Sequence, residues 1–169
     1  MNLKNKIISQ NVAALFLMII ILGPVINKIS DNYNLSTILN YLESQGEYAS
    51  IYAEQYALSK AKNIFEVPSI MESDSPYLSS YLKKNIKCQI QIFYGNRILG
   101  DSEDITDTNA TTRPEVAESI RGNRAYYLKG GTNRTLYYAV PINIGNRYNY
   151  SLAFVYDLAD ADKMKRNNI

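Results

Sequence analysis

Histidine and tryptophan are missing from this 169-residue chain, and cysteine occurs once, at Cys88. Without histidine there is no His-based triad, no imidazole metal ligand and no phosphoacceptor histidine in these residues. One cysteine closes no internal disulfide, and the alternating apolar neighbours of Cys88 read as a buried thiol rather than a reactive one. An enzyme is therefore the weakest reading, with Ser–Lys pairs alone formally open, and neither a cofactor nor a metal is expected. A charge of one sign is also lacking. The chain is nominally +2, and beyond Lys4 and Lys6 its acids and bases balance, so it has no basic stripe of the kind a nucleic-acid partner requires.

What is present begins with residues 7–26, IISQNVAALFLMIIILGPVI, uncharged from Val12 to Ile26 and interrupted only by Gly23 and Pro24. Twenty helical residues rise about 30 Å, the thickness of a bilayer's hydrocarbon core. Lys4 and Lys6 precede the run with no acid among them, which keeps the start in the cytoplasm and sends the remainder outside. A cleaved signal peptide and a buried core helix are the competing readings. The first wants small residues at a cut, where the chain offers Asn27, Lys28, Ile29 and Ser30; the second rarely uses so long an apolar run at a terminus. A retained anchor is preferred, with Pro24 kinking or loosening its outer end.

Roughly 140 residues follow, enough for one compact domain. Leu35, Ile38, Leu39, Leu42, Ala49, Ala53, Tyr56, Ala57, Ala61 and Ile64 recur at steps of three, four or seven and predict a long amphipathic helix. Asp31, Asn34 or Ser36 would cap it, Gly46 weakens its middle, and Val67 with Pro68 ends it. Its stripe packs on the domain's own sheet, carries movement to the membrane helix, or does both; Leu35, Ile38, Leu39 and Leu42 are the candidates for a signalling or dimer surface. A second helix is expected to start at residues 73–76, with Pro76 in its first turn and Lys83, Lys84 and Lys87 in its last.

From Cys88 the period changes to two, with Cys88, Ile90 and Ile92 alternating against Gln89, Gln91 and Phe93 before a Gly95-Asn96 turn. A strand over 97–100, a polar loop over 101–112 and a short helix over 113–122 follow. Strands over 125–129, 135–144 and 150–158 close the order, the first two pairs separated by Gly130-Gly131 and Gly145-Asn146. Five antiparallel strands with helices on one face make an α+β domain. Residues 161–169 read as the start of an exit helix towards a second span beyond the chain, which suggests a truncated piece. The expected organisation is thus 1–27 as cytoplasmic start and transmembrane helix, 28–160 as extracytoplasmic domain, and 161–169 as exit.

The run GNRILGDSED, then TRPEVAESIRGN, then TLYYAVPI resembles the external sensor domains of bacterial histidine kinases, the phosphate- and cell-wall-responsive type of low-GC Gram-positive bacteria in particular. The resemblance implies a PAS-like (single Cache) fold. In it Asp101-Ser102 ends the second strand, Arg113-Pro114-Glu115 starts the crossover helix, Gly122 ends that helix, and Ala139-Val140-Pro141-Ile142 lies in the fourth strand. The aromatic and acidic signature of the amino-acid-binding relatives is not evident, because Tyr126-Tyr127 lacks the accompanying tryptophan.

Two site readings remain. Asp101, Glu103, Asp104 and Asp107 offer oxygens to Ca²⁺, but their spacing is not an EF-hand's and a solvated acidic loop is preferred. A pocket between sheet and loops would draw on Tyr94, Arg113, Tyr126, Tyr138 and Asp157, the tyrosines supplying apolar bodies with polar tips and the arginine a fork for a carboxylate. Against it stands a core filled by tyrosines with Arg113 paired to a nearby acid. The expected function is signal sensing outside a cell membrane, in a homodimer that takes a small-molecule or envelope ligand and passes a shift to a cytoplasmic kinase. The rival is a membrane-tethered structural module of the envelope with no switching role.

Overall fold

The computed structural model describes residues 3–103, 113–130, 134–145 and 147–158 and divides into two units, Met1–Asn40 and Tyr41–Ile169. The first unit is helical throughout its described length. Helix α1 (Leu3–Lys60) contains Pro24 and continues across positions 31–36. The expected cap at Asp31, Asn34 or Ser36 is therefore corrected: no helix begins there, and Thr37 bonds back to the carbonyl of Tyr33 within the same helix. Among the described residues no helix is long and apolar enough to cross a membrane. Many side chains of residues 7–26 lie outside that description, so the stretch is established as helical backbone and no more. The expected exit helix over 161–169 also lies outside the described residues.

In the second unit the remaining turns of α1 bury Leu42, Ala49, Ala53 and Ala57, with Gly46 between them. Small side chains on one stripe bring a helix axis close to what it covers. A β carbon at Gly46 would lie 2.9 Å from Val140 Cγ1 and 3.1 Å from Tyr138 Cε1. The glycine that weakens helix propensity is thus a point of direct contact with the sheet.

Asn63 caps a single 3-10 turn (Ile64–Glu66) by accepting from the Phe65 N–H, and helix α2 (Val67–Ile86) follows at once. The expected start at residues 73–76 is corrected. Pro68 occupies the first turn, where its missing N–H has no helical partner to lose. Pro76 sits inside the helix. Across the groove between α1 and α2, Tyr48, Tyr52 and Tyr56 interleave with Tyr77 and Tyr81, the Tyr52 and Tyr81 rings stacking at 5.1 Å. Tyr56 and Lys60 both donate to Asp74 Oδ2, at 3.0 and 2.7 Å. Much of the tyrosine content thus lies along a helix–helix seam rather than in the core.

The sheet has the order β2-β1-β5-β4-β3, from β1 (Gln89–Tyr94), β2 (Arg97–Asp101), β3 (Ala125–Lys129), β4 (Thr135–Ile144) and β5 (Arg147–Asp157). All its pairings are antiparallel. Helix α3 (Pro114–Ile120) crosses between β2 and β3. Pairing stops on the β3 side at Ala125↔Ala139, so Pro141, which has no N–H, sits where β4 has lost that neighbour; its carbonyl accepts from Ser50 Oγ of α1 at 2.6 Å.

Helices cover both faces of this sheet, not one. Ile90, Ile92, Tyr138, Val140, Leu152 and Phe154 share the face under α1 and α2. Phe93, Ala139 and Ala153 share the other, where they pack with Val116 of α3, and Ser151 donates to Ser119 at 2.8 Å. This is why β1 is buried on both sides despite its alternating sequence.

Helix α2 lies on β2 backbone to backbone: a β carbon at Gly100 would stand 2.3 Å from both the carbonyl carbon and oxygen of Ser75. Gly100→Ala is expected to destabilise the fold by about 1–3 kcal/mol through overpacking. Urea unfolding measures this, and an unchanged midpoint would contradict the close approach.

Candidate functional site

On the α3 face, Gln91 of β1 and Asp101 of β2 are register partners. Gln91 Nε2 donates to Asp101 Oδ2 at 2.7 Å, and Gln89 Nε2 reaches the same carboxylate at 3.0 and 3.1 Å. The Glu103 N–H adds a bond to Asp101 Oδ1 at 2.9 Å. With its nitrogen committed to Asp101, Gln91 turns its carbonyl oxygen to Arg113 Nη1.

Arg113 precedes α3 in an extended conformation, φ −86° and ψ 106°, as a residue before proline should. Its guanidinium lies 4.7 Å from the Tyr137 ring centroid and 5.4 Å from that of Phe93, a cation–π arrangement on a desolvated site. Its Nε donates to Glu115 Oε1, the glutamate side chain being fully buried and the arginine 17% exposed. The pair is incomplete. Arg113 Nη2 and Glu115 Oε2 are buried and have no hydrogen-bond partner among the described residues. One unspent donor and one unspent acceptor thus stand in a network that runs Glu115, Arg113, Gln91, Asp101, Gln89.

Strand parity separates the pocket candidates read from the sequence. Arg113 is at this network. Asp157 shares its face by register but is exposed at the end of β5. Tyr94, Tyr126 and Tyr138 are on the opposite face. Tyr94 leans on Tyr150 at 5.0 Å, Tyr126 is exposed on the edge strand, and Tyr138 packs on Phe154. Burial pushes the Tyr138 phenol up to about 12, with Arg124 pulling it back and Glu43 and Glu47 adding to the rise. The five residues do not form one pocket.

Gln91, Glu115, Phe93 and Tyr137 were not among those candidates. Two glutamines alternating with isoleucines in β1 and an acid two positions after an arginine are the available signals. Of the four acids considered for Ca²⁺, Asp104 and Asp107 lie outside the described residues, Asp101 is engaged as above, and Glu103 pairs with Lys83 at 2.9 Å. Among the described residues no group of three or more His, Cys, Asp or Glu is placed to hold a metal. Of the helix-stripe candidates, Leu35, Ile38 and Leu39 are half-buried in the first unit, whereas Leu42 is wholly buried in the second and belongs to the core.

The fold is thus a long helix feeding a five-stranded antiparallel sheet, with a short crossover helix on the other face. Among solved structures, the sensor domain of the V. cholerae histidine kinase DctB matches with a TM-score of 0.57 at 17% identity, over 79% of this chain and 55% of that one. The ligand-binding domain of the Campylobacter jejuni chemoreceptor Tlp3 in complex with L-valine matches at 0.53 and 11%, over 74% and 56%. The same receptor's sensory domain with isoleucine bound gives 0.51 and 9%, over 74% and 55%. The chain thus spans a little over half the length of each, and the likeness is one of fold. No family model matches the chain, and no curated protein does.

Removing one member of a buried ion pair strands the other. Arg113→Ala is expected to cost about 3–5 kcal/mol, and adding Glu115→Gln should return part of that by neutralising the orphaned acid. Urea unfolding of the single and double variants tests it; a single variant as stable as the parent would show that the pair is not buried as described.

Proposed function

We propose that the chain is the extracytoplasmic ligand-sensing part of a membrane-bound sensor histidine kinase, held by a membrane helix at residues 7–26 and working as a homodimer. The observation that carries this reading is the incomplete Arg113–Glu115 pair on the α3 face of a Cache-like sheet. A buried donor and a buried acceptor left open at one place are what a small polar ligand would complete. The resemblance of the 95–122 region to phosphate- and cell-wall-responsive kinases supports the kinase output over a chemoreceptor's.

Helix α3 gives the ligand a route to α1. Its first turn carries Glu115, and three residues beyond its C-cap Arg121 stands Arg124, which pairs with Glu43 at 2.8 Å and Glu47 at 3.5 Å on α1. A ligand that fits one position of α3 better than another biases where α1 is held, and only such a difference can transmit a signal. Leu42 packs in the core beside this contact point in sequence, so association of two copies falls to other α1 positions, Leu35, Ile38 and Leu39 among them.

Sidedness tests the reading. Burial pushes the Cys88 thiol up to about 12, so the native cysteine is a silent background for labelling. Ser80→Cys, on the exposed side of α2, should react with a membrane-impermeant maleimide in intact cells. Labelling only after the membrane is broken would place the domain in the cytosol and end the proposal. In the full-length receptor, Arg124→Ala should shift the signalling set point while costing under about 1 kcal/mol of stability, as exposed pairs do; unchanged output would remove the α3-to-α1 route.

A further inference from the structure

The sensor reading leaves the ligand's chemistry open, and the inference that follows rests on that reading. We infer that the Arg113 site takes a neutral, planar donor–acceptor group, such as a primary carboxamide, in preference to an anion or a cation. Three observations carry this.

The first is the identity of the two open atoms. Arg113 Nη2 can only donate, and the Glu115 carboxylate can only accept. Both are buried without a partner among the described residues. Nε already donates to Oε1, so the open donor and the open acceptor belong to two groups joined by one bond. A group completing both must present an acceptor to Nη2 and a donor to Oε2.

The second is charge. The network holds one cation, Arg113, against two carboxylates, Glu115 and Asp101. Asp101 is saturated by Gln89, Gln91 and the Glu103 N–H, but its field remains. A carboxylate or phosphate entering here would find donors on Nη2 and face the buried Glu115. A cation would satisfy Glu115 and face the guanidinium. Both outcomes bring like charges together where little water screens them.

The third is shape. The guanidinium carbon lies over the Tyr137 and Phe93 rings, so the surroundings of the open atoms are aromatic, and planar groups pack on such surfaces better than tetrahedral ones. Inorganic phosphate fails on charge and on shape. With Nε spent on Glu115 and one Nη1 proton on Gln91, the donors left on Arg113 belong to a group already bonded to the Glu115 carboxylate, which a free carboxylate would have to face.

Acetamide, acetate and acetamidinium have nearly the same size and outline but offer, respectively, one donor edge and one acceptor edge, acceptors alone, and donors alone. Ligand-detected NMR on the full chain in detergent should show saturation transfer to acetamide several-fold above the other two. In Glu115→Gln, confirmed folded by circular dichroism, acetate should gain on acetamide, because the glutamine amide supplies a donor and removes the charge. A merely structural glutamate would not invert that order. Equal signals, acetate strongest in the parent chain, or no transfer to any probe would overturn the inference, the last showing that the two open atoms are closed by water or by each other. Failure of this experiment alongside external labelling of Ser80→Cys removes the ligand class and leaves the sensor reading intact. A cytosolic domain that still selects acetamide does the reverse.

Discussion

The fold depends on how closely two helices approach one face of the sheet at a few glycine and alanine positions. Gly46 and the alanines at 49, 53 and 57 bring α1 down onto Tyr138, Val140 and Phe154, and Gly100 admits the α2 backbone at Ser75. Such contacts are intolerant of added volume, because a packed interior relaxes only partly around an extra methyl group. They also fix which face of each strand is which. Once Ile90 and Ile92 are committed to α1 and α2, Gln91 and Phe93 must go to the other side.

Among the described residues, the seven of α3 are what covers that other side. Gln91 is nevertheless 3% exposed, and a buried amide must find partners or lose the hydrogen bonds it made to water. Asp101, Arg113 and Glu115 are the result. A network of this kind is poor material for stability alone, since apolar residues of the same volume usually do as well or better than a buried ion pair. Under the proposed sensing role, the two unspent polar atoms beside it are where a ligand would bind. The α1–α2 face, by contrast, is a dry core in which Tyr138 contributes mainly bulk.

Much of the second unit is legible in the sequence because its signals are local. The strands at 125–129 and 135–144 fall where alternation and turn residues place them, and Gly95 and Gly145 take the positive φ that their turns demand. Pro114 and Gly122 bracket α3 for equally local reasons. What was not legible depends on partners distant in sequence. Pro68 and Pro76 are equally good helix starters until the 3-10 turn capped by Asn63 decides between them. Alternation in β1 says which residues share a face but not that both faces are covered. The five pocket candidates rest on residue type, and residue type carries no parity: Tyr138 faces away from Tyr137 because each strand step reverses the side chain's direction, and Arg113 lies on the Tyr137 side.

The same separation sets how a binding event would be felt. A ligand at Arg113 is screened from α1 by the sheet itself, so it cannot push on the helix through the core without disturbing the tight packing at Gly46. The remaining path goes around the edge of the sheet, through α3 and the turn at Gly122, whose φ of 93° only glycine adopts readily, to Arg124 and its two acids. Exposed ion pairs hold a helix with no more than about 1 kcal/mol each. That weakness suits a switch better than strength would, because a coupling of 1–3 kcal/mol is what separates effector-bound from free states in most allosteric proteins. A rigid connection through the core would hold α1 in one position whether or not the site was filled.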